Sequence, residues 1–353
     1  MSQLETGIQF HLPTLRHCTL AEILTAAEVA AAAGLSQLWV TDNLVARSAF
    51  VVLAALAARV PVKLGTAVMV PYFHNPVEAA SALATISELM EGPELSIGIS
   101  RGNPSTPGHI RTPKAISFVR ETAQCLRRLL AGEAVAFRDY PSLASYFGLV
   151  PEAPFRLTLT PRVPARLYCG GNGPLSLAVG GQEMDGVIFG GSVAMAVHTG
   201  KVAPLLAIAE GAASAAGRGP LRKVAEIKIS LSSSLESARA FARESLWFRA
   251  GNLPQFGYTN EDFVTLGVDP AAIARLAQAQ ARGASGNELR ALVPETLIDA
   301  FFIAGDPPSC RPQVEELCDV LRAHGFHQVM FSGLGPDPAE AVRLLSREIL
   351  PRL

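Results

Sequence analysis

The chain has 353 residues, 49% of them hydrophobic and only 17% charged, a composition that buries a large core and excludes a disordered polypeptide. Thirty basic side chains against 31 acidic ones leave a formal net charge of −1, with no Lys/Arg block to grip phosphates, so nucleic acid is not an expected partner. The opening MSQLETGIQF lacks a basic stretch followed by an apolar one, and the alanine-rich run at residues 26–35 is too short for a bilayer, so a cytoplasmic protein away from membranes is expected.

Short apolar runs alternate with longer amphipathic ones along the chain, the pattern of parallel βα units. Eight strands are predicted in chain order: GIQFH from Gly7, QLWVT from Gln37, KLGTAVM from Lys63, ELSIGIS from Glu94, ARLYCG from Ala165, GVIFG from Gly186, EIKISL from Glu226 and HQVMFS from His327. Each is followed by a helix-like segment, and eight such repeats close most simply as an α/β fold of the (β/α)8 TIM-barrel type, one domain over residues 1–353. Period-two alternation turns Gln9 and His11 inward and Ile8 and Phe10 outward in the first strand, which sets His11 near the C-terminal rim. In the fourth strand Leu95, Ile97 and Ile99 face the helices while Ser96, Gly98 and Ser100 face the axis and leave room above them.

Alanine-rich helices at residues 19–33 and 46–58 offer close packing to a second copy, so a homodimer is expected. Residues 131–164, rich in Pro and aromatics, and residues 251–300, with short helices and polar turns, exceed ordinary connections. They read as insertions after strands four and seven that serve as lids or substrate walls. Cys18, Cys125, Cys169, Cys310 and Cys318 lack CxxC spacing, so neither a disulfide framework nor a zinc site is expected, and the thiols read as reduced and mostly buried.

The stretch RLYCGGNGPLSLAVGGQEMDGVIFGG, from Arg166, reads as strand, glycine turn, helix, strand and second glycine turn. Backbone N–H groups at Gly170, Gly171 and Gly173 can approach a phosphate, a helix starting near Pro174 aims its positive end at the same spot, and Gly190 and Gly191 close it from the side. The same glycines also suit plain βα turns, but two pairs in register favour a phosphate. No GxGxxG opens a helix after a first strand, so a mononucleotide-like phosphate fits better than a dinucleotide.

LGTAVMVPYFHNPVEAASALATISEL from Leu64, the GGNGP turn at Gly170, EMDGVI at Glu183 and GPDPAEAVRLLSREILP from Gly335 together resemble the bacterial-luciferase-like superfamily. The likeness is greatest to the branch that uses the deazaflavin coenzyme F420, which includes methylenetetrahydromethanopterin reductase and a glucose-6-phosphate dehydrogenase. The resemblance implies a cofactor ring at the C-terminal mouth of the barrel, its phosphate in the cradle of Gly170, Gly171, Asn172, Gly173, Gly190 and Gly191. It implies a non-proline cis peptide bond between Ala67 and Val68, in a bulge with Thr66 that presses backbone against one ring face, and a further cofactor contact at Gly102. Asp42 is implied to hydrogen-bond the ring edge or hold the phenolic end of the deazaflavin.

Some positions depart from the relatives. Asn43 stands where they often carry His, Asn103 where the sugar-phosphate enzyme has a glutamate, and Gln9 where the pterin reductase has one. Amides orient a substrate but deliver no proton near neutral pH, so oxidation of glucose 6-phosphate is not expected. The site set is therefore His11, Asp42, Asn43 and Asn103, with His11 the foremost proton donor ahead of Tyr72, His74 and His109, and with Arg101 as an anchor for an anionic group.

The function implied is hydride transfer from C5 of the reduced deazaflavin to a polarised C=C or C=N bond of a mostly apolar small molecule. Two alternatives stay open. The same cradle holds the ribityl phosphate of FMN, which would make the protein a luciferase-like monooxygenase using molecular oxygen. The missing acids also fit a non-catalytic flavin-binding barrel.

Overall fold

A computed structural model of the chain describes residues 4–102, 110–191 and 193–353. Its strands are β1 (Glu5–Phe10), β2 (Gln37–Val40), β3 (Lys63–Met69), β4 (Leu95–Ile99), β5 (Val135–Ala136), β6 (Pro154–Phe155), β7 (Ala165–Gly170), β8 (Gly186–Phe189), β9 (Arg222–Leu231), β10 (Ile303–Gly305) and β11 (Gln328–Leu334). Parallel pairing runs β1–β2–β3–β4–β7–β8–β9–β11 and returns from β11 to β1, which closes an eight-stranded barrel. The eight barrel strands are those expected from the sequence. Two elements were not: the short antiparallel pair β5–β6, and β10, which lies along the upper end of β9 with Ile303 opposite Ile229.

The predicted alternation holds. Ile8, Phe10, Leu95, Ile97 and Ile99 lie in the large cluster between strands and helices, while Trp39, Ala67, Tyr168, Ile188, Val224 and Met330 fill the barrel interior. Local chemistry starts the helices. Thr19 and Glu22 form a capping box ahead of Leu20–Ala32, and Asn75 caps Pro76–Leu89 with proline at its first turn. The helix Ala115–Leu130 sets Phe118, Cys125, Leu126 and Leu129 inward and its arginines outward.

The two long segments differ from each other. Residues 251–300 form short helices, including Pro270–Ala281, Gly286–Leu292 and Glu295–Phe301, capped in part by Asp269 and Ser285, and with the helix Leu235–Ala250 they build a second apolar cluster. That cluster walls the ligand cavity described below. Residues 131–164, expected to be a lid or wall, contribute nothing to that cavity. Their Val135, Phe137, Tyr140 and Leu143 are buried against the barrel's outer helices, and Glu121 fastens the short helix Pro141–Phe147 by accepting from Ser142 N (2.8 Å) and Oγ (2.7 Å). The aromatics there are core residues. All five cysteines are buried, and no helix among the described residues is long and apolar enough to cross a membrane.

Candidate active site

A cavity of about 780 Å³ opens at the C-terminal ends of the strands, the end at which barrels of this type place their chemistry. Gln9, Ala67, Val68, Ile188, Glu226 and Met330 line it at the level of the barrel interior. Gly170, the last residue of β7, also lines it, and the turns after β2, β4, β7 and β8 supply Asp42, Asn43, Ser100, Gly102, Gly171, Asn172, Gly190 and Gly191. The segment after β1 supplies His11, Thr14, Arg16 and His17, and the helical region after β9 supplies Phe241, Glu244, Ser245, Leu253, Phe256, Leu289 and Phe301. The strand-end turns thus contribute backbone and small polar groups, while the region after β9 contributes large apolar side chains beside the polar Glu244, Ser245, Asn252 and Gln280.

The peptide bond between Ala67 and Val68 is cis, at the position the resemblance implied, and the β3–β4 register shifts there between Thr66 and Met69. Gln9 Nε2 donates to Ala67 O. Because that carbonyl only accepts, the amide orientation is fixed and Gln9 Oε1 is left buried without a partner. Thr66 does not reach the cavity: its hydroxyl donates to Gly98 O at 2.9 Å and ties β3 to β4.

Asp42 is held from behind. Its N–H donates to Val68 O (3.3 Å), and its Oδ2 accepts from Val70 N and from His74 Nε2, both at 2.9 Å. Oδ1 has no hydrogen-bond partner among the described residues, and Asp42 lines the cavity. The His74 ring, 4.6 Å from that of Phe50, sits outside the cavity as the support of Asp42. An imidazole therefore stands beside this carboxylate although Asn43 occupies the adjacent position, where Asn43 Oδ1 accepts from Val45 N in a local turn (3.0 Å).

His11 is buried and lines the cavity, its Nδ1 lying 3.1 Å from Thr14 Oγ1. Tyr72 is structural: its hydroxyl donates to Pro113 O (2.8 Å), its ring stacks on Phe118, and burial pushes its pKa up to about 12. Arg101 is exposed and does not line the cavity. Asn103 and His109 lie outside the described residues.

The glycine turns lie side by side, as expected, but two of their N–H groups are already used. Gly171 N donates to Ile188 O (3.1 Å) and Gly190 N to Asn172 Oδ1 (3.0 Å), so Asn172 braces one turn against the other. The anion-binding capacity falls instead to the start of the helix Pro174–Glu183, which has no side-chain cap. There the N–H groups of Gly173, Leu175 and Ser176 have no partner among the described residues. Gly173 stands just outside the cavity lining.

Sequence reasoning missed a buried ion pair. Lys228 Nζ lies 2.6 Å from Glu226 Oε1, which also accepts from Ser332 Oγ at 2.6 Å, and Glu226 lines the cavity. The signal was present in EIKISL, where Glu and Lys two residues apart in a buried strand must both face the barrel interior. The support of Asp42 by His74 had no such signal, because 32 residues separate them.

These residues suit a flavin-like group. The volume admits a tricyclic ring with a second small molecule, and buried Gln9 Oε1 offers an acceptor to a ring N–H. The uncapped helix start offers N–H donors to a phosphate, and a Cβ on Gly170 would press into Val68 Cγ1 and narrow the floor. A closed βα barrel with such a chamber at its C-terminal mouth is an architecture that enzymes use. The chain belongs to the luciferase-like monooxygenase family, whose model matches residues 6–324, and the superfamily resemblance read from the sequence is borne out.

It is 27% identical over 330 residues to the 5,10-methylenetetrahydromethanopterin reductase of Methanolobus tindarius, over 92% of this chain and 94% of that one. It is also 27% identical over 330 residues to the F420-dependent glucose-6-phosphate dehydrogenase of Microbacterium testaceum, over 90% and 86%. The solved coenzyme F420-dependent tetrahydromethanopterin reductase of Methanopyrus kandleri shares the fold with a TM-score of 0.75, at 23% identity over 99% of each chain.

Proposed function

We propose that the protein is a coenzyme F420-dependent oxidoreductase that reduces a polarised C=C or C=N bond in a mostly apolar small molecule. Similarity along nearly the whole chain to relatives named for F420 or its pterin reaction supports the cofactor. The observation that carries the reading is the mixed lining of the cavity, with polar groups at Asp42 and the glycine turns and apolar side chains at Phe241, Leu253, Leu289 and Phe301. When bound, the reduced deazaflavin supplies a hydride.

The protein's own groups divide the remaining work. The Ala67–Val68 backbone and Gln9 form a shelf for a ring, Asp42 Oδ1 accepts a ring-edge hydrogen, and the start of the helix Pro174–Glu183 receives the phosphate. The apolar side chains exclude water from the reacting atoms, and His11 at the rim exchanges the substrate's proton.

An anaerobic titration of the ligand-free protein with F420 and with FMN, followed by a screen of unsaturated acceptors against reduced F420, tests the reading. Binding of F420 and oxygen-independent reduction of an acceptor are expected. Turnover with FMN that depends strictly on oxygen would replace it with the monooxygenase reading, and binding of neither cofactor would favour a non-catalytic barrel.

A further inference from the structure

Three carboxylates line the cavity, and each has a basic partner outside the lining. Asp42 Oδ2 lies 2.9 Å from His74 Nε2, Glu226 Oε1 lies 2.6 Å from Lys228 Nζ, and Glu244 Oε2 lies 2.8 Å from Arg290 Nη1. Among the described residues, Arg16 is the one Lys or Arg that lines the cavity itself. Its Nη2 lies 2.7 Å from Glu244 Oε1, so Glu244 carries two guanidinium groups. Arg16 is therefore a cation that can turn to another partner without stranding an acid.

We propose that Arg16 is a specificity-determining residue that binds the carboxylate of an apolar acid, and that the substrate belongs to that class. This rests on the reading of the cavity as a reductase site, and it narrows the mostly apolar substrate to one with an acid group away from the bond that is reduced. Arg16 thereby takes the anchoring role expected of Arg101, which does not line the cavity.

Exchange of partners costs little at this position. The Arg16 side chain is 68% exposed, and an ion pair so open to water contributes little. Only Nη2 is engaged with Glu244, and the remaining N–H groups of the planar fork match a carboxylate with two parallel hydrogen bonds. Apolar surface adjoins this charge. Glu244 and Phe241 stand three positions apart on the helix Leu235–Ala250, which sets them on one face, and the His17 ring meets the Phe241 ring edge-on at 6.4 Å. Leu253, Phe256 and Leu289 continue the apolar lining, so the surroundings suit an acid with an apolar body rather than a bare inorganic anion. The cofactor phosphate has a separate place. The helix Pro174–Glu183 follows β7, which lies four strands from β1 in either direction round the barrel, whereas Arg16 stands on the segment after β1.

The test uses octanoate and octanamide, which share a chain and differ in charge, titrated calorimetrically into the ligand-free protein. Octanoate is expected to bind roughly fivefold or more tightly than octanamide, the worth of a hydrogen bond to a charged group at a partly exposed site. Arg16→Gln should erase that preference, and Arg16→Lys should keep most of it. Glu244→Gln removes the competing carboxylate and should tighten octanoate binding about two- to fivefold, a sign that loss of structure would not produce. Equal binding of the two probes, an octanoate preference that survives Arg16→Gln, or no octanoate binding at millimolar concentration overturns the proposal. F420 affinity should be the same in Arg16→Gln, and a fall there with the octanoate preference intact would overturn the proposal by assigning Arg16 to the cofactor. If F420 does not bind or gives up no hydride while the probes behave as expected, the proposed function fails and the acid site stands.

Discussion

At the N-terminal end of the barrel, Glu5 grips Lys63 Nζ with both oxygens at 2.8 Å, and Glu94 takes Arg166 Nε at 2.6 Å and Ser96 Oγ at 2.9 Å. Gln328 joins that end by accepting from Trp39 and donating to Gln37, each at 3.0 Å. At the C-terminal end, Gln9 Oε1, Thr41 Oγ1 and Ser245 Oγ are buried around an open cavity without partners among the described residues. The N-terminal end has exceptions in Gln37 Nε2 and Arg218 Nε, but its charges are matched by charges of this chain. Buried polar atoms are ordinarily satisfied, so the contrast separates a closed end that holds the fold from an open end whose partners come from a ligand.

Removing a charge from each end should break the comparison if it is wrong. Glu94→Ala leaves Arg166 and Arg222 without their shared carboxylate and should cost about 3 kcal/mol of stability, the low end for a buried pair because both arginines reach solvent. Urea denaturation would read that loss, and cofactor affinity should stay the same. Asp42→Asn should do the reverse. The amide oxygen can still accept from Val70 N, but the charge facing His74 and the cavity is gone. Cofactor affinity should fall about 10- to 100-fold by fluorescence titration, the range for a hydrogen bond to a charged group, with a smaller shift in the urea midpoint. Equal binding by the Asp42 variant would remove that residue from the site.

The barrel was legible because its causes are local, whereas the ion pairs of the closed end, such as Glu5 with Lys63 and Glu94 with Arg166, join residues far apart in the chain and were not read from the sequence. Alternation in GIQFH and ELSIGIS fixed which side chains face inward, and burial followed from parity alone. The bulge at Ala67–Val68 was legible only through resemblance, since nothing in the side chains of KLGTAVM demands it. The open end was harder because its decisive contacts are non-local. The contact between His74 and Asp42 depends on how the turn after β3 folds back toward that after β2. The glycine turns were placed correctly, yet their hydrogen bonds to Ile188 and Asn172 could not be read from spacing. The Pro- and aromatic-rich composition of residues 131–164 suits a wall or an outer core equally well, and burial decided for the core.

A smaller effect tests the surface between these ends. The helix Ala49–Ala57 has no charged residue, and Val51 on it is 62% exposed, whereas outer helices of a barrel normally turn a polar face to water. A second copy covering this face is the expected assembly. Val51→Glu should then weaken self-association about tenfold or more by analytical ultracentrifugation, because it sets a charge in an apolar contact. An unchanged sedimentation profile would count against pairing through this helix.

The smallest change should carry the sharpest sign. Ser245 is buried on the helix Leu235–Ala250, its hydroxyl has no partner among the described residues, and the cavity lining beside it includes Phe241 and Leu253. An unsatisfied buried hydroxyl is a cost in the ligand-free protein, so Ser245→Ala should leave stability unchanged or raise it by up to about 1 kcal/mol. If the hydroxyl meets the substrate, the same change should raise KM a few-fold with kcat nearly constant, since it removes binding without touching the reacting atoms. Lower stability with an unaltered KM would place Ser245 with the satisfied groups of the closed end.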